Sequence, residues 1–379
     1  MTTQAEKPNW DYIMLLTVLC LAGLGLVMLL SSSWVLAQKK FGDAYYFFRP
    51  QVVFTLLGLS LMVVTKNIPY QWLCRLAYPI LFLAIAALSL VLMPGIGHRV
   101  GGASRWLRLA GVSFQPSELA KLALVIYLAY SLAAKQEKIK KFAYGLFPHL
   151  VILAVLVVLV ISEPDLGSAA LLCVISLIMF FVSGVRLSYL IYLVLLAAPV
   201  FYLMIVRFPY RLKRITAFVS PWDDPLGSGY HIIHSFLAFA SGGLTGMGPG
   251  GGNQKLFFLP EPHTDFIFSV VGEELGFVGV AFVILLFLIL IARGLAIALN
   301  AYELEGTYLA LGLTLIIGLQ AVMNMAVVVG LLPTKGLALP FFSYGGSAML
   351  LNFVTLGILM NVATQGRPNG TPPRRQSDV

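Results

Sequence analysis

Residues 259–292 read LPEPHTDFIFSVVGEELGFVGVAFVILLFLILIA. From Phe266 to Ala292 the run is apolar except for Ser269, Glu273 and Glu274. A helix needs ~20 consecutive apolar residues to cross a bilayer, so this run is long enough to span one. It opens on a carboxylate, Asp265, preceded by Pro260, Glu261, Pro262, His263 and Thr264. Fold and function both turn on why so oily a segment begins with an acid and carries two more.

The rest of the chain repeats the pattern. Apolar residues make up 59% of its 379 residues and charged residues 11%, against about 25% charged in a soluble domain. Ten apolar runs are predicted as spans: 12–36, 50–65, 72–93, 116–134, 147–162, 166–183, 187–206, 266–292, 307–331 and 345–365. None alternates as a barrel strand would, so helices are expected, the lipid interior requiring every backbone group to be satisfied within the span. The expectation is an all-α polytopic membrane protein: one domain over 1–366, with large outside loops at 94–115 and 207–265 and a disordered cytoplasmic tail at 367–379. The first run is read as a retained helix, since no small-residue cleavage site follows it. Cys20, Cys74 and Cys173 form no CxxC pair, which supports neither a disulfide framework nor a zinc site.

The net charge of +9 lies in short loops between apolar runs, which suits anionic lipid rather than nucleic acid. With both ends in the cytoplasm, the inside loops hold twelve Lys and Arg and the short outside loops seven, KQEKIKK (135–141) being the strongest anchor. Arg99, Arg105 and Arg108 sit together in one outside loop, where topology does not call for them and an anionic ligand would. HIIHSFLAFASGG (231–243) suits an interfacial or re-entrant helix. GGLTGMGPGGGNQ (242–254) holds too many glycines for regular structure.

Five groups carry candidate chemistry, each beside a plainer reading. Glu118 and Lys121 open the fourth span one turn apart; they either neutralise each other or present Lys121 to an anionic ligand. Arg105 adjoins Trp106, and a guanidinium fork matches phosphate oxygens bidentately; singly it could be a solvated loop charge. Asp165, in SEPDLGS (162–168), suits a helix cap. Asp265 suits a helix N-terminal acid or, at the outer surface facing an arginine-rich loop, a general base. Glu273 and Glu274 are expected to pair with buried polar groups. GLLPTKGLALPFFSYGGSAML (330–350), with Lys335, Ser343 and Tyr344, is expected to line a cavity.

RWLRLAGVSFQPSELAKL, EPDLGSA, SGYHIIHSFLAFASGGLTG, LPEPHTDFIFSVVGEELGF and GLLPTKGLALPFFSYGGS, in this order over about residues 10–365, resemble the SEDS (shape, elongation, division and sporulation) family of FtsW and RodA proteins. GEELGF and QKLFFLPE are most like its division (FtsW) branch. The resemblance implies a SEDS-type fold of ten helices and a peptidoglycan glycosyltransferase that polymerises lipid II with inversion and releases undecaprenyl pyrophosphate. It implies a class B penicillin-binding protein and divisome proteins as partners, in the bacterial inner membrane. Asp265 would be catalytic. Arg105, Arg108, Glu118, Lys121, Arg49, His263, Lys335 and Ser343 are the residues expected to bind substrate. No metal ligands are assigned, although a divalent cation, magnesium or manganese, is admitted as a cofactor. Departures from the family pattern are Ser104 before Arg105, His231 and His234 in place of glutamines, and Pro50 after Arg49. A lipid II flippase and a non-catalytic transpeptidase scaffold are the rival functions.

Overall fold

The computed structural model describes residues 11–100, 103–109, 112–252, 263–334 and 336–365. The expected tail 367–379, Lys255, Pro260, Glu261, Pro262, Lys335 and the side chain of Arg99 lie outside the described residues.

Thirteen α-helices of the described chain follow in order: α1 (Tyr12–Phe41), α2 (Phe48–Asn67), α3 (Tyr70–Arg75), α4 (Ala77–Leu92), α5 (Pro116–Ala134), α6 (Phe147–Ser162), α7 (Leu166–Val182), α8 (Leu187–Val206), α9 (Pro209–Val219), α10 (Tyr230–Gly242), α11 (Ile267–Asn300), α12 (Leu304–Val328) and α13 (Gly346–Thr364). Seven of these are long and apolar enough to cross a membrane, as is α6 together with the helical turn that precedes it (Phe142–Ser162), and the shorter apolar α4 and α7 complete the set of ten expected spans. α5 and α12 form the centre: α5 packs on α4 and α12, α2 on α13, and α11 on α1, α10 and α12. α8 faces outward along nearly its whole length, with Leu190 its only buried residue.

The loop 94–115 is not irregular. It folds into a three-stranded antiparallel sheet, β1 (Gly97–Val100), β2 (Ala103–Leu109) and β3 (Val112–Phe114). The loop 207–265 holds α9 and α10, the latter where a re-entrant or interfacial helix was expected.

α11 is two helices in one run. Gly276 takes φ 65°, ψ −164° and breaks the ladder. The broken groups are satisfied by the glycine-rich segment after α10. Met247 and Gly248 amides donate to the carbonyls of Glu273 and Glu274, both at 3.0 Å, while the Phe277 and Val278 amides donate to Gly243 and Leu244 at 2.9 and 3.1 Å. This is how a broken helix survives in an apolar bundle, where an unsatisfied backbone group would cost several kcal/mol. A Cβ on Gly246 would collide with the Glu274 carbonyl, so the approach requires glycine. Glu274 is itself buried and accepts both contacts of the Ser31 hydroxyl from α1, at 2.6 and 2.7 Å. It is a packing acid, as expected.

Candidate active site

β2 carries Arg105 at an irregularity. His98 faces Trp106 and Arg99 faces Ser104, so Arg105 falls between two cross-strand pairs as a bulge. A bulge leaves its residue without a cross-strand partner and re-aims the side chain. Arg105 reaches the turn between α6 and α7, where Nε donates to the Glu163 carbonyl at 3.0 Å and Nη2 to the Pro164 carbonyl at 2.5 Å. Nη1 lies toward Gly336 of the α12–α13 loop. A Cβ built on Gly336 would stand 3.6 Å from Arg105 Nη1 and 3.4 Å from Asp265 Oδ2. The two charged groups therefore converge on one glycine, no farther apart than the sum of those distances, from segments 160 positions apart in the chain.

Asp265 is held by its backbone. The N-cap of α11 is Phe266, which makes no side-chain cap, so Asp265 stands one residue outside the cap position. Its carbonyl accepts from Asn324 Nδ2 at 2.9 Å, and the same nitrogen donates to the Leu337 carbonyl at 2.7 Å. One turn back on α12, Gln320 Nε2 donates to the Ala338 carbonyl at 2.9 Å. Ser343 Oγ donates to the Thr264 carbonyl at 2.7 Å, and the Tyr344 amide donates to the His263 carbonyl at 2.9 Å. Three consecutive carbonyls, 263 to 265, are thus bolted to α12 and the 337–344 loop. His263 is buried, its ring 4.5 Å from Phe47 and 6.0 Å from Tyr344. Burial, then Lys40, pushes its pKa down to about 4, so it is neutral at pH 7.

The α6–α7 turn supplies the facing wall. Asp165 caps α7, its Oδ1 accepting the Ser168 amide at 3.0 Å and its Oδ2 the Ser168 hydroxyl at 2.8 Å. Glu163 is fully buried, and neither carboxylate oxygen has a hydrogen-bond partner among the described residues. Burial, then the Asp165 charge, pushes Glu163 up to about 8 against the opposing pull of Arg105. At neutral pH Glu163 is mostly uncharged. Against this turn lies a cavity of about 90 Å³, bounded by Arg105, Pro164 to Gly167, Ile205, Tyr210, Arg211, Arg214 and Ile215 from α8 and α9, and Pro333, Thr334 and Gly336. Three arginines and one already hydrogen-bonded aspartate, Asp165, line it. The chemistry of that wall suits an anion with several oxygens.

A family model described as a cell cycle protein, covering FtsW, RodA and SpoVE, matches residues 12–368. The chain belongs to the FtsW/RodA/SpoVE family. It is 47% identical to the probable peptidoglycan glycosyltransferase FtsW of Geobacter metallireducens, over 97% of each chain. It is 40% identical to stage V sporulation protein E of Bacillus subtilis, over 97% of this chain and 100% of that one. Among solved structures it resembles a chain of a peptidoglycan synthase complex that coordinates polymerization and crosslinking, with TM-score 0.77, 31% identity, and 94% and 98% of the two chains covered. The rod shape determining protein RodA of Thermus thermophilus matches with TM-score 0.71 and 28% identity over 95% and 99%. The membrane fold of this FtsW/RodA/SpoVE chain is the fold of these solved relatives.

Several residues expected to bind substrate are engaged elsewhere. Lys121 is 0% exposed; its Nζ lies 2.8 Å from Glu118 Oε2 and 2.7 Å from Gln320 Oε1. An ammonium cannot stay ionised in an apolar bundle without such partners, so the Glu118–Lys121 pair braces α5 against α12 rather than facing the cavity. Ser343 is buried, with its hydroxyl committed to the Thr264 carbonyl and the Leu339 amide. Arg108 is exposed, in register with Ser113 on β3, and does not line the cavity. Arg49 has a 70% exposed side chain on Asp43 at 3.1 Å, a surface ion pair away from the cavity lining. Lys335 lies outside the described residues. The sequence reading missed Arg211 and Arg214, although PYRLKRITAFV (209–219) carries an amphipathic pattern with cations three apart. Among the described residues no group of three or more His, Cys, Asp and Glu side chains could hold a metal ion.

Proposed function

We propose that this chain is a membrane-embedded peptidoglycan glycosyltransferase that polymerises lipid II into glycan strands, in the division branch of its family. The observation that carries the reading is the convergence of Asp265 and Arg105 on Gly336, beside a cavity walled by arginines. In this reading the acceptor sugar's hydroxyl gives its proton to the Asp265 carboxylate as its oxygen bonds the donor's anomeric carbon. The bond from that carbon to the phosphate oxygen breaks on the opposite side, with inversion, and lipid diphosphate leaves. Arg105 faces the charge developing on the leaving oxygen, where preorganised donors stabilise a transition state more than a ground state.

The site lies at the bundle end carrying the sheet, α9 and α10. We assign that end to the outer surface of the inner membrane and both termini to the cytoplasm, in line with the Lys and Arg bias of the loops. The lipid tail then stays in the bilayer while the saccharide enters the cavity. A class B penicillin-binding protein is the proposed partner, supported by the likeness to a chain from a synthase complex. The test is incubation of the purified protein, alone and with its transpeptidase, with lipid II. Glycan strands and released lipid diphosphate support the reading; lipid scrambling without strands rejects it in favour of a flippase.

A further inference from the structure

α9 follows α8 across two residues, and its side chains do something the bundle does not require. Arg211 is buried although most of α9 is exposed. Its guanidinium stacks on the Phe208 and Tyr210 rings, at 4.4 and 5.3 Å. Nε donates to the Tyr210 hydroxyl at 2.7 Å and Nη1 to the Met204 carbonyl at 3.0 Å. All of these partners are neutral, and no carboxylate pairs with Arg211 among the described residues. A permanently charged, buried guanidinium with only neutral partners is costly unless an anion completes the set. Arg211 lines the cavity. Arg214, one turn on, lines it too and is exposed, so its long side chain can move to a ligand. Arg105 stands on the same cavity, already fixed by two carbonyls. Asp165 is the acidic residue of that lining, and its two oxygens are spent on Ser168.

We infer that α9 is the second wall of a diphosphate site, with Arg211 as a fixed ligand and Arg214 as a mobile one, acting together with Arg105. The inference rests on the glycosyltransferase reading for its substrate, a lipid-linked saccharide diphosphate, and deepens it by naming residues outside the Asp265 segment that recognise the leaving group. Two phosphoryl groups present more oxygens than Arg105 alone can pair, since it spends two of its nitrogens on backbone. Discrimination between a lipid diphosphate and a lipid monophosphate is therefore expected to reside in α9.

The experiment measures binding of a fluorescent polyprenyl diphosphate and of the matching monophosphate to the purified full chain, with inorganic pyrophosphate as competitor. The variants are Arg214→Ala, Arg211→Ala and, as a control, Lys213→Ala, which is exposed on the same helix and absent from the cavity lining. Loss of one charge-assisted contact weakens affinity ~10-fold or more. Arg214→Ala and Arg211→Ala are expected to weaken the diphosphate at least that much, the monophosphate less, and Lys213→Ala neither. Pyrophosphate is expected to displace the diphosphate from the parent. Arg214→Ala binding both lipids as Lys213→Ala does, or losing both equally, overturns the assignment. Failure of the parent to make glycan would reject the enzyme reading separately, since the binding contrast does not depend on turnover.

Discussion

Asp165 and Asp265 stand at two loop-to-helix junctions beside the same cavity, and the fold treats them oppositely. Asp165 occupies the cap position of α7 and gives both oxygens to Ser168. Asp265 stands one residue outside the cap of α11, and its backbone carbonyl accepts from Asn324. Its carboxylate reaches toward Gly336 and Arg105. One aspartate is structural because its side chain is the anchor. The other is positioned for chemistry by three consecutive main-chain anchors, at residues 263 to 265, beneath a carboxylate that points to Gly336 and Arg105.

The strongest attempt to break this contrast removes the brace beneath Asp265. Lys121→Ala leaves the Glu118 charge and the Gln320 oxygen unpaired inside the bundle, one turn from Asn324. Breaking a buried pair costs roughly 3–5 kcal/mol, so loss of folded protein and of activity together is expected in melting and polymerisation assays. A stable, active variant would mean that α12 does not need the brace to hold Asp265.

Asp165→Ala sharpens the contrast from the other side. Removing a capping aspartate costs about 0.5–2 kcal/mol, so a lower melting temperature with polymerisation reduced no more than severalfold is expected. A folded variant that has lost activity a hundredfold would return Asp165 to the chemistry.

Glu163 gives the most graded effect, and one that leaves the Asp165–Asp265 contrast itself untouched. Its folded pKa is raised from 4.5 to about 8. Between those values the folded chain holds a proton that the unfolded chain has lost. Its contribution is fully present below pH 4.5, declines as pH rises, and levels off above about 8. Glu163→Gln mimics the protonated form, so its melting temperature should rise relative to the parent's across that window. Parallel curves would place a hydrogen-bond partner on Glu163.

Much of this was legible in the sequence because membrane spans are written in length and apolarity. The ten spans came from those two features, and the likeness in motif order located Asp265 and Arg105. What could not be read depends on contacts far apart in the chain. Gly276 breaks α11 inside a run whose hydropathy it does not change. The β2 bulge that aims Arg105 is a matter of register. Gln320, which meets Lys121 across 199 positions, looks like any polar residue in a span. Arg49 and Ser343 have the right residue type for a ligand contact, yet one pairs on the surface with Asp43 and the other is consumed by backbone. α9 was overlooked because a cation-rich amphipathic helix does not register as hydrophobic.

The most direct measurement separates binding from chemistry at Asp265. Asn keeps the size of Asp and the backbone grip of Asn324, but cannot take the acceptor's proton. The Asp265→Asn variant should fold, bind labelled lipid II within a few-fold of the parent, and polymerise it ~10²–10⁴-fold more slowly in single-turnover assays. Polymerisation at near-parental rate by the folded variant would contradict the account and leave Asp265 a helix-terminal acid like Asp165.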